Sequence, residues 1–305
     1  MTIRILPPAI ASRIAAGEVI ERPASAVKEL IENSLDAGAG RIAVEIGGGG
    51  LTLIRVVDDG RGVPQDELAL AFQRHATSKL PDDADLSAIV TLGFRGEALP
   101  SIAAVAEVEA TSRPANAPLA AYLRLRAGMV VDHAARGAPS GTSIAVHGLF
   151  RRQPARLKFL RSPAAEASQV AAVVTHYALA YPEVRFSLAV DGRETFATSG
   201  RGGRREAAAG VYGPAVAGAL LAVEETSEGH HLEAVIAPPS VSRANRSYIT
   251  IFVNRRWVRS RSLTFAVEEA YRGLLPAGRF PIAVVDVRVP PEEVDVNVHP
   301  AKTEV

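Results

Sequence analysis

The first clear periodicity lies between Pro23 and Asp36, where Val27, Leu30, Ile31 and Leu35 recur at helical spacing and make one apolar face. Asp36-Ala37-Gly38 supplies the stop, because glycine takes the left-handed position after a helix without a Cβ clash. Two strand-like runs follow, Arg41 to Ile46 and Leu51 to Val57, and the four glycines at 47–50 between them predict a hairpin. The second run ends in a sharp turn, Asp58-Asp59-Gly60-Arg61-Gly62, and Pro64 then opens a short helix through Phe72. From Gln73 to Ala98 the pattern is mixed and polar, with turn-like glycines at 93 and 96. A connection this long inside a compact domain is usually functional, often a lid. Strand patterns return near 105–111, 119–127 and 141–147, and an alanine-rich helix runs from about Ala164 to Tyr181.

Ser199-Gly200-Arg201-Gly202-Gly203-Arg204-Arg205 reads as a linker. Beyond it, strand-like runs near 231–237, 247–254 and 281–289 surround a helical run at about 262–274. The pattern predicts an α+β fold in two domains. The first covers 1–203, with an N-terminal arm and a lid at about 73–100, and the second covers 204–305. No internal repeat or heptad seam is present. The chain stops at Lys302-Thr303-Glu304-Val305, inside a motif described below, and is expected to be the front part of a longer protein.

Composition narrows the class without changing this layout. A hydrophobic fraction of 48% and a charged fraction of 22% are those of a globular protein. No apolar run approaches the roughly 18 residues that span a bilayer, and Met1 to Pro8 lacks the layout of a signal peptide. The absence of cysteine excludes disulfides, thiol catalysis and cysteine-bound zinc, and fits a reducing compartment. The formal charge of +1 means that any nucleic-acid contact must come from local basic patches.

The candidate chemistry begins on the first helix. Glu29, Asn33 and Asp36 lie at i, i+4 and i+7, opposite the apolar face, where a carboxylate and a carboxamide can share a cleft. Hard oxygen ligands of this kind suit magnesium, although a solvated helix face would show the same pattern. Asp58, at a strand end, can accept from an exocyclic amine, and Gly60 and Gly62 would let a flat base come close to the backbone. Gly93-Phe94-Arg95-Gly96-Glu97-Ala98-Leu99 stands before a helix, where exposed N–H groups favour phosphate. Gly141-Thr142 could place a hydroxyl beside a base. No G-x-x-x-x-G-K-[ST] occurs, so the pocket is not a P-loop. Gly38-Ala39-Gly40-Arg41-Ile42-Ala43 matches the loose dinucleotide pattern but leads from helix to strand, the reverse of what that fingerprint needs.

In this order, Glu29…Asn33, Asp58-x-Gly-x-Gly, Gly93-x-x-Gly and Gly141-Thr142 resemble the four-part signature of the GHKL ATPases. Longer runs resemble the MutL mismatch-repair family within that superfamily. These are Ile14 to Ser25, Lys28-Glu29-Leu30, Glu32 to Gly38, Arg74-His75-Ala76-Thr77-Ser78-Lys79, Gly93 to Leu99 and Asn297-Val298-His299-Pro300-Ala301-Lys302. The resemblance covers nearly the whole chain. It implies a GHKL (Bergerat) ATP-binding sandwich followed by a smaller α+β transducer domain.

The resemblance also implies roles. Glu29 would be the general base, Asn33 the magnesium ligand, Asp58 the acceptor for the adenine amine and Thr142 the hydroxyl near the base. Gly93, Phe94, Arg95, Gly96, Glu97, Ala98 and Leu99 would wrap the phosphates, with Thr77, Ser78 and Lys79 beside them. Lys302 would reach the terminal phosphate from the second domain, which suits a reaction that needs positioning and positive charge. By the same resemblance the cofactors are ATP and Mg2+, and ATP makes the chain a homodimer with the arm, Met1 to Val19, crossing onto its partner. The further partners implied are DNA, a mismatch-recognition protein of the MutS type and a downstream nuclease or helicase. The setting implied is the bacterial cytoplasm, at the nucleoid.

The chain departs from the family at two places. Asp59 stands where Asn is usual and is expected to face solvent, away from Asp58. Arg151-Arg152-Gln153 replaces Tyr-Asn-Thr, which makes that loop more basic. For DNA, Arg243, Arg246, Arg255, Arg256, Arg259 and Arg261 lie in a stretch from Ser242 to Arg261 that has no acid. Such a patch can hold phosphates without reading sequence, or serve only for solubility. Two other classes stay open: a nucleotide sensor without useful turnover, and a type II topoisomerase subunit, whose lid and tail sequences differ from those here.

Overall fold

The computed structural model describes residues 19–79, 92, 93, 96–290 and 293. The chain divides into two compact units, Met1–Val174 with Phe186–Phe196, and Thr175–Arg185 with Ala197–Val305.

In the first unit, helix α1 (Pro23–Asp36) buries Val27, Leu30 and Ile31, as the spacing predicts, with Ala24 and Ala26 beside them. Proline in its first turn gives up no hydrogen bond, since that N–H has no intrahelical acceptor. The helix packs against β1 (Arg41–Gly47) and β2 (Leu53–Asp58). The glycines between these strands form a turn in which Gly49, at φ 70°, would carry a Cβ only 2.4 Å from the Pro163 carbonyl oxygen. A side chain there would both strain the backbone and strike the main chain.

Helix α2 (Gln65–Leu68) is shorter than the run to Phe72 that the sequence predicts; a 3-10 turn, Leu70–Phe72, takes over. Helix α3 (Ala98–Val105) leads into β3 (Glu107–Arg113), β4 (Ala120–Arg126), β5 (Met129–Arg136) and β6 (Gly141–His147). After a short α4 (Pro154–Leu157) come α5 (Pro163–Ala180), β7 (Arg185–Val190) and β8 (Arg193–Ala197). The eight strands form one sheet in the order β5-β4-β3-β6-β2-β1-β7-β8. Strand β5 escapes sequence reading because it is an edge: every residue except Ala134 is exposed, so no buried alternation marks it.

The register lines up the buried face. Val44, Val56, Ile144, Ala110 and Leu123 form one row across five strands, and Ile46, Ile54, Val146, Val108 and Leu125 form the next. All ten are buried. Burial of each large member is worth about 1.5–3 kcal/mol, which fixes the register, since a slip of one residue would expose the set.

The second unit holds α6 (Arg204–Tyr212), α7 (Pro214–Ala219), β9 (Leu221–Ser227), β10 (His230–Ile236), β11 (Ser242–Arg243), β12 (Ile249–Val253), β13 (Arg256–Trp257), α8 (Arg261–Ala270), β14 (Phe280–Pro281) and β15 (Ala283–Arg288). Its main sheet runs β13-β12-β15-β10-β9, with β12 and β15 parallel, and β11 pairs with β14. One cluster joins Ala207 and Ala208 of α6 to Leu220, Val235, Phe252, Ile282 and Val284. On the other face, Val267 of α8 packs on Ala234, Ala283 and Val285, and Leu263 packs on Ile251, Val253 and Val258. Among the described residues, no helix is long and apolar enough to cross a membrane.

His176 in α5 stacks on Trp257 at 4.2 Å between ring centroids, and Arg259 lies 4.8 Å from the Trp257 ring. Burial and the Arg259 charge lower the His176 pKa to about 4. The unfolded chain therefore binds a proton, near pH 6.5, that the fold refuses down to pH 4. This contribution to stability is complete above pH 6.5 and is lost as pH falls towards 4. Thermal unfolding followed by Trp257 fluorescence should show a midpoint that declines less steeply across that window in His176→Phe than in wild type. Parallel declines would remove His176 from the acid response.

Candidate nucleotide-binding site

Two polar constellations grow from opposite sides of α1. On one side Ser34 points into the sheet. Its hydroxyl lies 2.8 Å from Asp58 Oδ2 and 3.1 Å from the Leu30 carbonyl oxygen. Asp58 Oδ1 accepts from the Gly60 N–H at 3.0 Å and the Thr142 N–H at 3.2 Å. Burial pushes the Asp58 carboxyl above its usual range; the bonds from Ser34, Gly60 and Thr142 pull the other way, and neighbouring Asp59 adds to the rise. The carboxylate is held at a strand end with its geometry fixed from three directions.

Glycine makes the approach possible. A Cβ at Gly141, where φ is 112°, would fall 2.0 Å from the Asp58 carbonyl oxygen. Only glycine lets β6 start close enough for the Thr142 N–H to reach Asp58. At Gly60 the Cβ space is filled by Ala37 and Asp58, and at Gly62 by the Arg113 main chain. These two glycines thus bring protein against protein. Asp59 does turn away from Asp58, but it does more than face solvent. Its Oδ1 accepts from the Gly40 N–H at 2.8 Å and the Arg41 N–H at 2.7 Å, tying the end of β2 to the start of β1.

On the other side of α1, Asn33 Oδ1 accepts from Lys79 Nζ at 2.9 Å, and Lys79 Nζ lies 2.5 Å from Asp36 Oδ2. Asp36 also accepts from the Leu92 N–H at 3.1 Å and the Gly93 N–H at 3.3 Å. One carboxylate therefore holds both stems of the segment between residues 79 and 92. A second tie closes the stems: the His75 N–H donates to the Gly96 carbonyl at 3.2 Å, and Gly96, at φ 60°, packs on the Ala76 main chain. Thr77 Oγ1 accepts from the Lys79 N–H at 3.1 Å, while Thr77 and Ser78 are exposed. Glu97 precedes α3, and Ala98 and Leu99 form its first turn.

Glu29 is half-buried one turn before Asn33, and its Oε1 lies 3.5 Å from Lys28 Nζ. Lys28 also meets Glu32 at 3.0 Å. Burial of Lys28 works against its charge, but Glu32 and Glu29 outweigh it and hold its pKa above the usual lysine value. The donors are hard oxygens, Glu29 and Asn33, in a place that a cationic Lys79 already favours. That set fits magnesium, which takes few protein ligands and completes its shell with water and phosphate. Among the described residues, no group of three His, Cys, Asp or Glu side chains could form a protein-only cage.

Phe94, Arg95 and Lys302, and all of the arm except Val19, lie outside the described residues. Three site residues were missed in the sequence reading or left without a role: Ser34, Ser112 and Asp36. Ser34 had a signal, because it continues the apolar series 27, 30, 31 at helical spacing. Ser112 had one too, since it follows Val108 and Ala110 on the inward face of β3.

The family model for Histidine kinase-, DNA gyrase B-, and HSP90-like ATPases matches residues 20–124, and the model for DNA mismatch repair protein, C-terminal domain, matches 208–305. DNA mismatch repair protein MutL of Acidiphilium cryptum is 51% identical over 304 residues, covering 100% of this chain and 52% of the relative. MutL of Symbiobacterium thermophilum is 49% identical, covering 99% and 48%. This chain belongs to the MutL family. It spans about half the length of the MutL relatives it matches. The Aquifex aeolicus MutL ATPase domain complexed with ADP is similar, with a TM-score of 0.70, 28% identity and coverage of 90% of this chain and 94% of that one. The B-subunit of the DNA gyrase from Myxococcus xanthus, at 16% identity and a TM-score of 0.61, shares the fold. The GHKL α+β architecture of the MutL ATPase region, with its second, smaller α+β unit, is thus the fold of this chain.

The basic stretch of the second unit is less uniform than its sequence. Arg246 is exposed but pairs with Glu268 at 2.5 Å and lies 5.0 Å from the Phe280 ring. Arg255 pairs with Glu183 at 2.5 Å and lies over Tyr181. Arg243, half-buried, lies 5.0 Å from the Tyr248 ring, and Arg256 is half-buried as well. Arg259 and Arg261 are exposed. The segment has no acid of its own, but the fold brings two to it.

Proposed function

We propose that this MutL-family chain binds Mg-ATP, dimerises on binding it, and hydrolyses it slowly as the switch of a mismatch-repair clamp. The observation that carries the reading is the part-buried Ser34–Asp58–Thr142 constellation at the ends of the central strands β2 and β6. Asp58 takes the adenine amine. Glu29 positions and deprotonates the attacking water. Asn33 holds magnesium, which supplies charge neutralisation on the phosphates. Lys79 exchanges its carboxylate partner for phosphate, joined by Gly93, Arg95, Gly96 and, by the family pattern, Lys302. Downstream, the dimer engages DNA, a MutS-type recognition protein and a nuclease or helicase in the bacterial cytoplasm.

The first test is ATP binding and Mg-ATP turnover at several protein concentrations. Asp58→Ala should weaken ATP binding about a hundredfold, as expected when a charged acceptor is lost. Turnover should rise more than linearly with protein. Unchanged affinity in the variant would mean that the base lies elsewhere, and linear turnover would argue against an ATP-driven dimer.

DNA contact falls to the exposed, aromatic-backed end of the arginine stretch. Arg259→Glu with Arg261→Glu should weaken binding to a random duplex at least about tenfold and reduce the salt slope by about 2. The same reversals at Arg246 and Arg255, which already face carboxylates, should have smaller effects. Equal effects at both pairs would point to net charge alone.

A further inference from the structure

On β2, β6 and β3, the inner face of the first unit's sheet carries its polar side chains in one row. Asp58, Thr142 and Ser112 are register partners across β2, β6 and β3, so their side chains stand in line next to the row Val56, Ile144 and Ala110. Ser112 is buried to 1% exposure. Its oxygen accepts from the Val63 N–H at 2.8 Å, lies 2.9 Å from Thr142 Oγ1, and lies 3.3 Å from the Gly141 carbonyl oxygen.

Ser112 has one proton and two acceptors to choose from. The 2.9 Å contact to Thr142 is a bond in either direction, and when the Thr142 hydroxyl donates to a bound base, Ser112 is the donor that completes it. When Ser112 donates to Thr142 Oγ1, the threonine's own proton cannot return along the same line. The Thr142 N–H is already committed to Asp58. The Thr142 hydroxyl is then left as a donor beside the Asp58 acceptor. An acceptor next to a donor matches the adenine edge, where an exocyclic amine donates and the adjacent ring nitrogen accepts. Guanine presents the reverse, an oxygen acceptor beside a ring N–H donor.

We propose that Ser112 is a specificity-determining positioning residue: its buried hydroxyl fixes the direction of the Thr142 hydrogen bond and so makes the pocket select adenine over guanine nucleotides. The proposal rests on the reading that the base sits against Asp58. A mismatched base would leave buried polar groups unpaired, which is how such sites discriminate strongly.

The test is equilibrium binding to the full chain of ATP, GTP and an ATP analogue whose ring nitrogen beside the amine is replaced by C–H. Wild type should bind the analogue about tenfold more weakly than ATP. Ser112→Ala should bind ATP about tenfold more weakly than wild type does, bind the analogue nearly as well as it binds ATP, and lose most of its preference over GTP. Because Ser112→Ala also leaves the Val63 N–H without its acceptor, Ser112→Cys is run beside it; it fills the space with a weaker donor and should move the ratio the same way. A folded variant that loses ATP affinity but keeps the wild-type analogue-to-ATP ratio would make Ser112 merely structural and overturn the proposal. So would a wild type indifferent to the ring nitrogen. Asp58→Ala is the separating control: if it leaves ATP binding intact, the placement of the base is wrong, whereas if it abolishes binding while the Ser112 variants keep the wild-type ratio, only the role of Ser112 falls.

Discussion

Glu29→Ala should abolish ATP turnover and leave ATP bound. The expectation follows from where α1 puts its side chains. Ser34, which orients Asp58, the proposed adenine acceptor, faces the sheet. Asn33 faces Lys79. Glu29 lies one turn before Asn33, half-buried, with Lys28 3.5 Å away. It can therefore be removed without disturbing the Asp58 constellation. Loss of a general base costs about 10²–10⁴ in rate, far more than its truncation should cost in affinity. Glu29→Gln, which keeps the shape and removes the basicity, should be nearly as slow. Steady-state phosphate release read beside equilibrium ATP binding checks both parts. Turnover retained in either variant would take Glu29 out of the chemistry, and a parallel loss of binding would make it a ligand instead.

The second large effect concerns stability. Arg204 is almost fully buried in the second unit, where its guanidinium bonds Asp286 Oδ2 at 3.1 Å, Glu233 Oε2 at 3.1 Å and the Leu179 carbonyl at 3.0 Å. Asp286 is 0% exposed and also accepts from the Arg255 N–H. The Arg204 bond to Glu233 holds that carboxyl below its usual range against partial burial. Arg204→Met would strand Asp286 in the interior. Breaking one side of a buried pair costs about 3–5 kcal/mol, much of it the cost of the charge left behind. Glu233 is about a third exposed and can rehydrate, so the burden falls on Asp286. Denaturant unfolding followed by Trp257 fluorescence should show the loss, and Asp286→Asn added to Arg204→Met should recover part of it. A loss below about 1 kcal/mol would mean that water reaches Asp286 and that the pair is dispensable.

Much of the candidate site was readable because its parts are local. The helix at Pro23–Asp36, the stop at Gly38 and the turn at Asp58 each depend on a few neighbouring residues, and those residues suffice to set backbone conformation. The same locality explains the misses. Strand β5 has no buried face to print an alternation. The short helix after Pro64 breaks where packing, not propensity, decides its length. The arginines at 246 and 255 look unopposed along the chain, yet Glu268 and Glu183 meet them in space.

By itself, then, the sequence determined the elements with a marked apolar pattern, the buried face of the first helix, and the family to which the motifs belong. Tertiary structure alone decided which polar groups meet. Ser34 reaches Asp58 across 24 residues, Thr142 reaches Asp58 across 84, and Ser112 reaches Thr142 across 30. The bulk of the driving force for that alignment comes from the apolar rows beside it, because a slip of one residue would expose them. The polar row is carried into register by residues that take no part in its chemistry.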